Sequence, residues 1–203
     1  MSADDTALLF RAIQEGNLLC VQTCLHNGVD PNLQNAIGQT LLLKAIECNE
    51  REIVLLLLKY GADINGSTTV FGSTPLHYAA YYGCHELIIL LIDQGALINA
   101  QLTKVLFTPL HSAVLGNCYQ CAQYLLSGGA DVNAPDHGER TPLHYAVTRC
   151  PLPLVALLLD YGADPRHPDI FGKTPLEYAL VHGHQSIIQT LQKTRRRGVL
   201  HDR

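Results

Sequence analysis

One short string recurs along this chain. TPLHYAA (74–80), TPLHSAV (108–114), TPLHYAV (141–147) and TPLEYAL (174–180) align without gaps. TLLLKAI at 40–46 is a degenerate copy, and TALLFRAI at 6–13 reads as an earlier one. The threonines Thr6, Thr40, Thr74, Thr108, Thr141 and Thr174 stand 34, 34, 34, 33 and 33 residues apart. A second marker keeps step with them at Gly28-Val-Asp, Gly61-Ala-Asp, Gly95-Ala-Leu, Gly129-Ala-Asp and Gly162-Ala-Asp. Paired leucines lie between the markers, as at Leu56-Leu57, Leu90-Leu91, Leu125-Leu126 and Leu157-Leu158. A period of this length is decisive for the fold. Each unit is one small supersecondary element that cannot bury its apolar face alone, so the units must stack.

The markers have local physical roles. A threonine before Pro-Leu can cap a helix by accepting a backbone N–H, and proline suits the first helical position because no N–H is needed there. Leu143 and Ala146, three apart, then share a face toward the core. Gly83, Gly183, Asn49 and Asn117 fall between two helices, where a positive φ is expected. Gly61, Gly95, Gly129 and Gly162 close the second helix. The departures are as telling as the pattern. The copy at 40–46 lacks Pro and His and should start its helix less firmly. Cys150 stands at an interhelical turn before Pro151 and Pro153, and Leu97 replaces an Asp. The stretch from glycine to the next threonine is 12 residues, but 13 after Gly61 and Gly95.

These residues resemble the ankyrin-repeat family, whose hallmark is T-P-L-H-x-A on a period of about 33 residues. The resemblance covers roughly residues 5–193. It implies an all-α solenoid of about six repeats, with paired antiparallel helices and β-hairpin fingers. The expected repeats start near 6, 40, 74, 108, 141 and 174, forming one domain (1–193) followed by a basic tail (194–203). It also implies that His77, His111 and His144 tie repeats together through backbone and threonine groups.

Composition narrows function by exclusion. The longest aliphatic runs, Ile53–Leu58 and Leu87–Ile92, are far short of the roughly 18 residues that a membrane span needs. The acidic opening MSADD is unlike a secretory leader. Residues 1–192 carry 17 acids against 9 bases, and residues 193–203 carry 5 bases against 1 acid. Such an acidic body disfavours nucleic acid except at the tail. Lys193–Arg197 reads either as a solvated helix end or as a nuclear localisation signal. The protein is therefore expected in the cytoplasm, with the nucleus added if that run is a signal. The seven cysteines, an odd number, read as free thiols serving as small core hydrophobes.

Catalytic motifs are missing from the sequence: no G-x-S-x-G, P-loop, G-x-G-x-x-G or H-E-x-x-H occurs. Cys118-x-x-Cys121 has no second pair, and His182-Gly-His184 flanks a turn, so no metal site and no cofactor are expected. What remains is surface. The family implies a partner protein on the concave face, and a chain that is monomeric when alone. Carried over by position, the helices offer Tyr81, Tyr82, Leu115 and Arg149. The fingers offer Val70, Phe71, Val105, Phe107, Arg140 and Phe171. Aromatic residues beside arginine are the stuff of interface hot spots, and the bland alternative is that they pack on one another and stiffen the fingers. The family further implies asparagine hydroxylation, for which Asn65 and Asn133 match best; Asn32 and Asn99 match less well. It includes substrate receptors of ubiquitin ligases such as SOCS-box adaptors, and inhibitors of kinases or transcription factors. No SOCS-box-like segment follows residue 193 in this sequence.

Overall fold

The structure, a computed structural model, describes residues 3–149 and 151–198; residues 1–2, Cys150 and residues 199–203 lie outside it. The described residues form helices in pairs: α1 (Ala3–Gln14) with α2 (Leu18–His26), α3 (Leu41–Glu47) with α4 (Arg51–Lys59), and α5 (Pro75–Tyr82) with α6 (His85–Asp93). Then come α7 (Pro109–Leu115) with α8 (Tyr119–Ser127), α9 (Pro142–Arg149) with α10 (Leu152–Asp160), and α11 (Pro175–His182) with α12 (Gln185–Gly198). First helices pack on first helices along the whole array, and second helices on second helices where α2 meets α4 and from α6 through α8 and α10 to α12, giving two layers. One apolar core lies between the layers, from Leu9 and Ile13 through Leu57, Leu91, Leu125 and Leu158 to Leu191. Each such leucine stabilises the fold by about 1.5–3 kcal/mol on burial.

Threonine and histidine join the units. His77 Nδ1 accepts the Thr74 N–H at 3.3 Å, and its Nε2 donates to the Phe107 carbonyl at 3.0 Å in the next repeat. His111 repeats this with Thr108 and the Arg140 carbonyl, and His144 with Thr141 and the Lys173 carbonyl. A backbone N–H can only donate and a carbonyl can only accept, so all three rings carry their proton on Nε2. The implied tying role is thereby present, with its tautomer. Asparagines add a second tie at the start of each finger: the Asn133 amide donates to the Gly162 carbonyl at 3.1 Å while its Oδ1 accepts the Asp164 N–H at 2.8 Å.

The copy at 40–46 makes up for its missing proline and histidine by apolar means. Thr40 still accepts the Leu43 N–H at 3.2 Å, and Leu41, Leu42, Leu43 and Ile46 are all buried. The first repeat is shifted by one residue from the sequence register. The inter-helix bond Asn17 N–H to Ala12 corresponds to Glu50 to Ala45 and Cys84 to Ala79. That equivalence aligns Ala7, not Thr6, with the cap threonines of later repeats, but both lie within α1, which begins earlier, at Ala3. At the far end α12 runs past residue 193 to Gly198. Of the basic run, only Lys193 has a described side chain.

The fingers are turns rather than β-hairpins. Among the described residues the one bridge is Gln34 to Thr40, and no strand forms. The arms are too short for a ladder, because the cap threonine begins a helix immediately. The outer backbone bond that closes each finger runs from Asn35 to Gln39, Asp136 to Arg140 and Asp169 to Lys173, but from Thr68 to Ser73 and Leu102 to Phe107. The two longer loops hold the extra residues, so both insertions sit at finger tips. Neighbouring tips are linked by Thr103 N–H to the Phe71 carbonyl, His137 to Val105 and Ile170 to Gly138. The residue two before each cap threonine is left-handed. It is glycine at 38, 72 and 172, but Leu106 (φ 58°) and Glu139 (φ 57°) adopt the same conformation.

Candidate partner-binding surface

Fingers and first-layer helices together present one long face. Where α5 meets α7 it is pulled tight: a Cβ on Gly116 would come within 2.2 Å of the Tyr81 carbonyl oxygen. Only glycine permits that approach. A groove of about 210 Å³ lies beside the tyrosines. Tyr81, Tyr82, Phe107 and Leu115 line it together with Ser73, His77, Tyr78, Leu102 and Ser112. Tyr81 and Tyr82 are half exposed and meet edge to face, with ring centres 5.4 Å apart. Phe107 is more enclosed. Its ring stacks on His111 at 5.0 Å and meets Tyr145 edge-on at 5.2 Å.

The structure thus gathers four of the residues expected from the sequence into one groove. Arg140 and Arg149 line the adjoining groove, toward α11. Val70, Phe71 and Val105 are exposed at the tips of the lengthened fingers, where Lys104 lies 5.5 Å over the Phe71 ring. Phe171 stands apart in the last described finger and is 79% exposed. Asn65 and Asn133 are half-buried. Asn65 Oδ1 accepts the Leu97 N–H at 2.9 Å, so Asn65 clamps the following repeat as Asn133 does.

Sequence reasoning missed the polar scaffold beneath this face. Asp136 is buried in its finger, where it accepts the N–H of Gly138 (2.6 Å) and Arg140 (2.9 Å) and the Tyr145 hydroxyl (2.5 Å), and pairs with the Arg140 guanidinium. Asp169 likewise accepts the N–H of Phe171 and Lys173 and the Tyr178 hydroxyl. Burial pushes both carboxyls up, but the bonded hydroxyls and N–H groups hold them below the usual carboxylate range. Burial and the Asp136 carboxylate together raise the Tyr145 hydroxyl. A signal was present: Asp five residues before the threonine and Tyr four after it, in two successive repeats. Burial also lowers His77 and His111 to about 4, and His144 in the same direction, so these rings are neutral near pH 7.

One expectation about the cysteines is overturned. Cys118 and Cys121 are not free thiols but are joined by a disulfide across the first turn of α8. Cys118 caps that helix and Cys121 sits three residues on, which brings their Cα atoms to 5.2 Å, inside the range a disulfide needs. Cys84 is buried among apolar neighbours, as read from the sequence; Cys150 lies outside the described residues. No described helix is long and apolar enough to cross a membrane.

A family model for ankyrin repeats matches the chain in overlapping segments, 9–102, 62–136, 97–169 and 136–198. Among curated proteins, an ankyrin repeat protein of fowlpox virus is 32% identical over 68 residues, 32% of this chain and 23% of the viral protein. The E3 ubiquitin-protein ligase XBAT33 of Arabidopsis thaliana is 35% identical over 72 residues, covering 36% of this chain and 14% of the ligase. The I-kappa-B like protein I1 of Microplitis demolitor bracovirus is 57% identical over 35 residues, covering 17% and 21%. The chain spans less than a quarter of the length of each of these relatives. Matched along nearly all of its length and built on one threonine–histidine–glycine frame, this chain belongs to the ankyrin repeats, a family of protein–protein interaction modules.

Proposed function

We propose that this chain is a non-catalytic adaptor that holds a segment of another protein against the face formed by its fingers and first-layer helices. The groove between α5 and α7 carries the reading. Tyr81, Tyr82, Phe107 and Leu115 line a depression beside the two lengthened fingers. Large aromatic side chains around a concavity supply most of the affinity in protein interfaces, and exposed contiguous apolar surface marks binding sites. Val70, Phe71 and Val105 form the rim, Arg140 and Arg149 continue the surface, and Phe171 stands farther along it in the last described finger. Asn65 and Asn133 are proposed hydroxylation sites. Their side chains are held by the next repeat, so a modifying enzyme must act when a finger opens. Mass spectrometry of protein from animal cells tests the order, and oxidation at Asn32 or Asn99 in their place would overturn it.

The decisive experiment compares affinity and stability in two variants, with the partner taken from affinity capture. Tyr82→Ala should weaken binding by about 2 kcal/mol or more while lowering stability by no more than about 1 kcal/mol. Phe107→Ala should lower both, because Phe107 also packs on His111 and Tyr145. Unchanged affinity in Tyr82→Ala would remove this groove as the binding site.

A further inference from the structure

Along the binding face, the same three register positions change character from one end of the array to the other. Just before the cap threonine the repeats carry Gln39, Ser73, Phe107, Arg140 and Lys173. At the end of each first helix they carry Glu47-Cys48, Tyr81-Tyr82, Leu115-Gly116, Thr148-Arg149 and Val181-His182. At these positions the early repeats offer one carboxylate, with Lys44 held 3.5 Å from it, and the late repeats offer Arg140, Arg149 and Lys173.

Arg140 and Arg149 line a groove of about 260 Å³, walled by His144, Tyr145, Tyr178 and His182. Arg140 is already held in place. Its Nε and Nη2 donate to Asp136 Oδ2 at 3.2 and 3.1 Å, and its guanidinium lies 5.0 Å over the Tyr145 ring. Two of five donors are thus directed inward, and the side chain remains 42% exposed. A guanidinium fixed in this way gives up little conformational freedom when it meets an oxyanion. The acids nearby do not compete strongly. Asp136 and Asp169 are buried and engaged by tyrosine hydroxyls and backbone N–H groups, and Glu139 at the finger tip lies 3.8 Å from His167. His144 is held toward its neutral form by burial, and the two arginines are the permanent positive charges of this groove.

We infer that this groove takes an oxyanion-bearing side chain of the bound segment: aspartate, glutamate or a phosphorylated residue, placed toward α11 from the residue that fills the tyrosine groove. The inference rests on the adaptor reading and adds polarity and direction to it. The test is a positional-scanning library of extended peptides, with Asp, Glu and phosphoserine among the fixed residues, presented to the wild type, Arg149→Gln, Arg140→Lys and Tyr82→Ala. The wild type should select an apolar residue at one position and an acid or phosphoserine at another, and which of these it prefers distinguishes carboxylate from phosphate. Arg149→Gln should lower the acidic selection about tenfold and leave the apolar selection intact, with Tyr82→Ala doing the reverse. Arg149 is exposed at the end of α9, so its variant decides the matter even if Arg140→Lys disturbs the finger. Apolar selection without acidic preference would overturn this inference and leave the adaptor reading standing. Acidic selection that survives Arg149→Gln and Arg140→Lys would overturn it as well, and no selection at all would count against both.

Discussion

Mild acid should loosen this array through its histidines before it affects its carboxylates. His77 and His111 are lowered to about 4 in the folded chain by burial, against 6.5 for a free imidazole. Between those values the unfolded chain binds protons that the folded chain excludes. The stability these rings contribute is therefore complete above about pH 6.5 and is lost as the pH falls toward 4. At pH 5 the loss is about 2 kcal/mol for each ring and about 4 kcal/mol for the two, from 1.36 kcal/mol per pKa unit. That is a large share of a typical domain's stability. Burial is the main cause, and protonation has a further cost, since a proton on Nδ1 removes the acceptor for the Thr74 and Thr108 N–H groups. Urea unfolding at pH 7, 6 and 5 measures the effect in the wild type and in His77→Gln/His111→Gln. Glutamine at this position can still accept the threonine N–H, as in a capping box, and it does not titrate. The double variant should lose most of the decline between pH 7 and 5, leaving the smaller part due to His144. An unchanged pH dependence would refute the reasoning. Asp136 and Asp169, held low, contribute stability that disappears only below about pH 4.

Three further outcomes follow from named contacts. Leu106→Gly should raise stability by about 1 kcal/mol, because a left-handed φ costs leucine roughly 1–2 kcal/mol and glycine nothing comparable; a lower melting temperature would contradict this. Asn133→Ala should cost about 1–3 kcal/mol by leaving the Gly162 carbonyl and the Asp164 N–H without their partner, read as a fall in thermal stability and faster hydrogen exchange in the last two repeats. Alkylation without reductant should spare Cys118 and Cys121 and should mark Cys118 after dithiothreitol; labelling of both before reduction would argue against the disulfide.

The sequence alone determined the repeat, because its signals are local. Thr before Pro-Leu, glycine or asparagine between helices and glycine after the second helix act within a few residues of themselves. Their spacing placed five of the six first-helix starts correctly and both insertions in the fingers. In the first repeat Thr6 imitates a cap, but α1 already begins at Ala3 and Ala7 is the residue in register with the later threonines. The β-hairpins expected of the fingers were replaced by turns, since the helix caps leave no room for strands. The composition of the binding face was legible as residue types, but not its geometry. Tertiary structure decided that Phe107 would be enclosed and Phe171 exposed, because His111 and Tyr145 of neighbouring elements cover the first ring. It also decided that Gly116 would let α7 close on the Tyr81 carbonyl of α5, and that His77 would reach the Phe107 carbonyl of the next repeat. Which atoms face outward depends on contacts some 30 residues away along the chain, and a period read along the sequence contains no term for them.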